Sequence, residues 1–238
     1  MADVLADDLA RATDGLKAAG CHCIPIVADM TDVTQVDAMV DQAEEALGPI
    51  DIQVNNAGTL SYVGPVWEAE PERWFGDVRV NLYGSFLCCR AVVRRMVERG
   101  RGYVLNTVGG GVGDPHAYTT SYASSKAGLM RLTEGLAREA APHGIKVFAV
   151  GPPAVDTEMT RFIREDAGGR KWRPQFRKIF DEHRDGSPEL VAQLCLNLVS
   201  GRADALTGRL FYATQDFEDI LGRQASILKE DLMTLRIR

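Results

Sequence analysis

The chain has 238 residues, 45% of them hydrophobic and 25% charged, with a formal net charge of −6. That length and balance describe one globular domain with a core of its own and exclude disordered and low-complexity classes. The acidic balance argues against a nucleic-acid binder that tracks phosphates. No apolar run reaches the ~18 residues of a membrane helix, and the acidic start Met1-Ala2-Asp3 lacks a signal peptide's basic region.

Helical and extended patterns alternate along the chain. Leu5, Leu9, Ala12 and Leu16 repeat at helical spacing over residues 4–19, and Gly20 ends that segment. Ile24, Ile26 and Val27 predict a short strand. Asp32 with Gln35 reads as a capping box for a helix carrying Val33, Val36, Met39, Val40, Ala43 and Leu47, which Gly48-Pro49 breaks. Residues 50–54 predict a strand that runs into Asn55-Asn56-Ala57-Gly58. A long helical stretch covers 71–98, a strand 103–105, a helix 121–141 and a strand 145–150. Ser187-Pro188-Glu189 opens a helix, and Leu206 to Tyr212 predicts the last strand. Strands separated by helices give an α/β fold with a parallel sheet covered on both faces, whose ligands bind beyond the carboxyl ends of the strands.

Five cysteines are an odd number without framework spacing, which fits reduced thiols in a cytoplasmic protein. Cys21 and Cys23 flank His22, but no second ligand pair follows at zinc-site spacing, so no metal is expected.

The strongest chemical signal is Tyr122-Ala123-Ser124-Ser125-Lys126. Positions four apart share a helix face, and an ammonium there favours the phenolate, which lowers the tyrosine pKa toward general acid/base work. An isolated pair of this kind usually marks only an amphipathic helix. Here Asn55-Asn56-Ala57-Gly58 follows one strand end, Asp29-Met30 a second, and Gly151-Pro152-Pro153 with Thr157 a third. Asn81 lies in the helical segment between the asparagine motif and Tyr122. All of these fall at the ligand edge of one parallel sheet.

Taken together, Asn-Asn-Ala-Gly, Asn81 and Tyr-x-x-x-Lys resemble the short-chain dehydrogenases/reductases over nearly the whole chain. The resemblance implies a Rossmann-like doubly wound parallel sheet and an NAD(P)-dependent oxidoreductase that interconverts an alcohol and a ketone. It makes Tyr122 the acid/base, has Lys126 lower its pKa and hold the nicotinamide ribose, and has Asn81 hold a relay water. Asn55, Ala57 and Gly58 would line the cofactor, Asp29 and Met30 would lie near adenine, and Pro152 and Thr157 near the nicotinamide. It also implies a single domain with a flap over about 157–187 and an extension over about 213–238, forming a homodimer or homotetramer.

Two departures accompany the resemblance. The family's opening strand and glycine-rich phosphate loop have no counterpart, as though about 35 residues were missing from the usual strand–helix–strand unit. The fold is therefore expected as an N-terminally truncated version with an unpaired buried sheet edge, and a misplaced start accounts for it most simply. Asp3 would then be the acid on the adenine ribose, which favours NAD while leaving NADP open; a helix cap or a solvated terminal residue are its alternatives. Second, the family serine, thirteen residues before the tyrosine, falls on Gly109, which has no hydroxyl to polarise a carbonyl. Thr107 shares its strand face but lies about 6–7 Å back, and Ser121, Thr119 and Thr120 are expected to cap the Tyr122 helix. These departures also admit a second reading, a catalytically inactive member that serves as an oligomeric or regulatory subunit. The basic residues after Thr157, among them Arg161, Arg164 and Arg173, would favour an acidic substrate or else pair with Glu165 and Asp166 or face water. His116, in the loop before Tyr122, would touch substrate or face solvent.

Overall fold

A computed structural model describes residues 1–236. Its strands are β1 (Ala2–Asp3), β2 (Ile26–Val27), β3 (Ile52–Asn55), β4 (Gly102–Thr107), β5 (Ile145–Gly151) and β6 (Leu210–Tyr212). Every pairing is parallel, and the strands form two pieces, β1-β2 and β3-β4-β5-β6, rather than one continuous sheet. In β4 and β5, Val104, Leu105, Val147 and Phe148 are buried on both faces, as expected where helices cover a parallel sheet.

Helices α1 (Ala6–Ala18), α2 (Val33–Leu47), α3 (Pro71–Val78), α4 (Ser85–Arg99) and α5 (Thr120–Ala140) alternate with the first strands. One core layer joins Val36 and Val40 of α2, Leu87, Val92 and Met96 of α4 and Ala137 of α5 to Val104 and Val147. The opposite layer sets Leu194 and Leu198 of α9 (Pro188–Val199), with Phe217 and Ile227 of α10 (Phe217–Gly222) and α11 (Gln224–Lys229), against Leu105, Phe148 and Phe211. This is the doubly wound, Rossmann-like arrangement. The flap between β5 and α9 holds three short helices, α6 (Glu158–Glu165), α7 (Ala167–Trp172) and α8 (Pro174–Asp181).

Several local expectations change in detail. Asp32 caps α2 by accepting from the N–H groups of Thr34 and Gln35, but Gln35 Oε1 accepts from Asp29 N–H, so the box is not reciprocal. The stretch expected as one helix over 71–98 is interrupted by a π turn at Arg79–Gly84, which contains Asn81. The last strand begins at Leu210 rather than Leu206, because Asp204–Leu206 closes a 3-10 turn first. The sheet edge expected to be buried is open: β3 is an outer strand, and its Ile52 and Val54 are 47% and 50% exposed.

Candidate active site

The carboxyl ends of β3, β4 and β5 open into a cleft of about 850 Å³, walled on its far side by α6 and α9. Asn56, Gly58, Thr107, Tyr122, Lys126, Pro152 and Thr157 line it. A second pocket of about 270 Å³ adjoins it and shares Leu60, Tyr122, Pro152, Pro153, Met159 and Thr160. Tyr122 thus stands at the seam of two cavities, both mostly apolar, the larger also holding Asn56, Lys126 and several threonines.

Lys126 is buried, and its Nζ donates to the Thr107 carbonyl at 2.7 Å. It lies 5.6 Å from the centroid of the Tyr122 ring. Burial dominates both groups: it pushes the Tyr122 hydroxyl up to about 12 and the Lys126 ammonium down to about 8. The expectation that Lys126 lowers the tyrosine pKa is therefore corrected, because the ammonium points at a carbonyl while the phenol loses water.

Asn81 acts as a clamp. Its Oδ1 accepts from Thr59 N–H at 2.7 Å, and its Nδ2 donates to the Thr59 carbonyl at 2.9 Å and to Ser125 Oγ at 3.0 Å. Ser125 Oγ donates in turn to the Tyr122 carbonyl at 2.7 Å. Gly58 closes the cluster: a Cβ there would lie 3.1 Å from Asn81 Oδ1 and 3.3 Å from Lys126 Nζ, so the bare backbone is what lets this loop approach. Side chains of the π turn and α5 meet the backbone of the loop after β3 here.

Other anticipated residues lie elsewhere. Asn55 turns into the sheet, where its Nδ2 donates to Asn106 Oδ1 at 2.8 Å and its Oδ1 accepts from Gln53. Its neighbour Asn56 faces the cleft in its place, and Ala57 is exposed without lining it. Asp29 accepts from Thr31 N–H, and the Met30 sulfur lies 3.4 Å from Cys88 Sγ. Asp3 is exposed and accepts from Leu5 N–H at the start of α1. Thr157 does line the cleft, where its hydroxyl caps α6.

The hydroxyls before Tyr122 do not cap α5 as expected. Thr119, at the N-cap, makes no side-chain cap bond; Thr120 Oγ accepts from Trp74 Nε1; Ser121 Oγ donates to Asp77 Oδ2 at 2.5 Å. Asp77, which the sequence reading passed over, also accepts from Ser61 N–H at 3.0 Å. It is fully buried, and that burial raises its pKa. One carboxyl thus ties the Gly58–Ser61 loop to the turn that presents Tyr122. The signal lay in spacing: Trp74, Asp77, Val78 and Asn81 share one helix face.

Arg161, Arg164, Arg177 and Arg184 pair with carboxylates in the flap region. Arg161 and Arg164 meet Asp156, rather than Glu165 and Asp166, and Arg177 meets Asp181. Among the described residues no carboxylate forms an ion pair with Arg173.

The dinucleotide expected from the resemblance fits the larger cleft. Its volume, the close backbone approach at Gly58 and the two further N–H bonds open to the buried Lys126 ammonium suit a polar, ribose-bearing ligand.

Comparisons with known proteins bear on the family. The family model described as short chain dehydrogenase matches residues 1–168. "Short chain dehydrogenase mpl6" of Monascus purpureus is 32% identical over 230 residues, 94% of this chain and 73% of that protein. The 5-keto-D-gluconate 5-reductase of Escherichia coli K12 is 31% identical over 210 residues, 88% of this chain and 81% of that protein. A crystal structure of a gluconate 5-dehydrogenase from Burkholderia cenocepacia J2315, in complex with NADP and tartrate, superposes with a TM-score of 0.77 at 27% identity, covering 89% of this chain and 82% of that one.

Proposed function

The chain belongs to the short-chain dehydrogenase family, and on that premise we propose that it interconverts a secondary alcohol and a ketone with NAD(P) in the larger cleft. The observation that carries this reading is the position of Tyr122 between the two cavities, with Lys126 and Asn81 meeting at Gly58 behind it. The two cavities suit two reactants side by side, which positions them for transfer.

Bound NAD(P)H supplies the hydride, and the protein supplies placement and the proton. In the reducing direction Tyr122, held as the neutral phenol by burial, donates its proton from Oη to the carbonyl oxygen. Lys126, held by the Thr107 carbonyl, would turn its remaining N–H bonds to the nicotinamide ribose. Asn81 holds Thr59 and Ser125, and through Ser125 the backbone of Tyr122. Thr157 and Pro152, which line the cleft, would flank the nicotinamide. Gly58 and Asn56 would face the cofactor, with Ala57 beside them and Asn55 behind in the sheet, while Asp29, Met30 and Asp3 would lie toward adenine. Gly109, at the family serine position, offers no hydroxyl, so Tyr122 O–H is the principal donor to the carbonyl.

Asp3 favours NAD, and the NADP named with the gluconate 5-dehydrogenase keeps NADP open as the alternative nucleotide. The sugar-acid and polyol names among the relatives, including a galactitol 2-dehydrogenase, point to small hydroxylated substrates. We further infer one cytoplasmic domain, with a flap over 157–187 and an extension over 213–238, that assembles as a homodimer or homotetramer. Nothing among the relatives supports the inactive reading.

The test is oxidation of NADH and NADPH by the purified chain across a ketone panel, with Tyr122→Phe alongside. Removing the proton donor should cost roughly 10²–10⁴-fold. Turnover that survives in Tyr122→Phe, or a silent panel with both nucleotides, would overturn the proposal.

A further inference from the structure

The smaller pocket carries an unbalanced charge. Arg173 joins α7 to α8 and lines this pocket opposite Tyr122, among Leu60, Ile163 and Phe176. Its Nη1 makes one long bond, 3.3 Å to the Ala117 carbonyl, and its Nε is buried without a partner. The same burial disfavours its charged form. Arg173 is half-buried, and its buried Nε without a partner is a cost that a ligand could relieve.

The groups facing it do not complete it. Among the described residues no carboxylate lines the pocket. His116 brings the Cε1 side of its ring against Gly110, where a Cβ would meet Cε1 at 2.2 Å, and burial together with the Arg173 charge lowers its pKa and favours the neutral imidazole. Asp114 is close enough to act on His116, but it is exposed and forms no ion pair with Arg173. Trp172 stacks on Tyr118 with ring centroids 4.7 Å apart, which fixes the flap to the loop carrying His116 and so fixes the pocket's cationic wall.

We propose that the substrate carries a carboxylate which Arg173 takes as its partner, with His116 as a neutral donor beside it, while the reacting carbon sits at Tyr122. This rests on the oxidoreductase reading above and narrows its substrate to oxo acids and their hydroxy-acid counterparts. A planar guanidinium matches a carboxylate with two parallel hydrogen bonds, and the apolar lining suits the carbon chain between the carboxylate and the ketone.

The experiment is calorimetric titration of the full chain, alone and with NADH or NADPH, using 4-oxopentanoate, 5-oxohexanoate and their primary amides. At least one acid should bind roughly ten- to a hundredfold tighter than its amide, the ratio expected of a hydrogen bond to a charged group. Arg173→Met should erase that ratio, and Arg173→Lys should keep part of it; thermal melts check that both variants are folded. Equal affinity of acid and amide, no binding of either acid, or a preference that survives in Arg173→Met would overturn the proposal. The same samples are assayed for NAD(P)H oxidation. Selective acid binding without turnover would sustain the carboxylate site while counting against the oxidoreductase reading alone.

Discussion

A Cβ placed on Gly109 would stand 2.2 Å from Tyr122 Oη and 3.0 Å from its Cζ. The glycine thus leaves the space that the tyrosine hydroxyl enters. Any side chain at 109 must push the phenol off its position or move the strand end beneath it. Gly109→Ala is expected to lower kcat about tenfold or more, because a small displacement of an acid/base group is costly to a positioned reaction. Stability should fall by about 1 kcal/mol, within the range for overpacking. Gly109→Ser makes the same displacement but adds a hydroxyl able to meet Oη, and it should fall between wild type and alanine. Steady-state rates and thermal melts of the two variants test this; a faster alanine variant would show that Tyr122 needs no such space.

The buried pair sets a pH profile. Tyr122 stays protonated until about 12, so it contributes no break to the reduction rate at ordinary pH, whereas Lys126 loses its charge above about 8. The kcat/KM for reduction should hold steady up to about pH 8 and decline above it. Oxidation, which needs a phenolate to accept the proton, should rise with pH. The linkage to stability has the opposite sign for the two groups. Between about 8 and 10.5 the unfolded chain holds a lysine proton that the native state has lost, so Lys126 makes the fold more stable as pH rises through that window. Tyr122 takes stability away between 10 and about 12. Rate profiles of wild type and Lys126→Met check the assignment: the break near 8 should vanish in the variant.

The layout of the fold was legible because each element carried its own period. Val33 to Leu47 repeats every three to four residues, and Ile145 to Val150 is a buried apolar run, so both were placed within about a residue. The meeting of Tyr122 and Lys126 on one face followed from their spacing alone. The break in the 71–98 helix was not legible, since Arg79 to Gly84 keeps an ordinary helical pattern and only the tertiary demand on Asn81 opens the π turn. Asn55 and Asn56 are chemically alike in the sequence; the pleat decides between them, turning Asn55 toward Asn106 on the neighbouring strand and leaving Asn56 to the cleft. Arg173 was one of many flap cations in the sequence. Only the geometry separates it from Arg161 and Arg164, which find Asp156.

Asp77 should show its burial in the pH dependence of stability. Its pKa is raised, with burial as the leading cause against the opposing hydrogen bonds from Ser121 and Ser61. Between the ordinary carboxyl value and the raised one, the native state holds a proton that the unfolded chain has released. Stability therefore falls as pH rises through that window and stays lower above it. Asp77→Asn keeps an acceptor for Ser61 N–H and removes this slope. Asp77→Ala leaves Ser121 Oγ and Ser61 N–H without partners, which should cost about 1–3 kcal/mol and loosen the Tyr122 turn. Urea midpoints from about pH 4 to 7 separate the variants: a wild-type slope that persists in Asp77→Asn would assign it to another carboxyl.

The five free thiols should report the layers of the fold in order. Cys21 is exposed, while Cys23 is partly buried with its Sγ donating to the Thr13 carbonyl at 3.6 Å. Cys195, on α9 at the edge of the larger cleft, is partly buried, and burial raises its pKa. Cys88 and Cys89 lie in the core on α4, where burial pushes them up to about 11 and about 12. Reactivity follows the thiolate and its access. At pH 8 an aromatic disulfide reagent should therefore modify Cys21 first and Cys23 and Cys195 more slowly. Cys88 and Cys89 should react only through opening of the α2–α4 layer. Cys21→Ser should remove the fast phase and nothing else. Nucleotide bound in the cleft should slow Cys195 while leaving Cys21 untouched. The slowest phase should accelerate with urea in step with global unfolding. Core thiols that react as fast as Cys21 without denaturant would show that α4 opens locally, and the rigid support assigned here to Asn81 and the π turn would then fail with it.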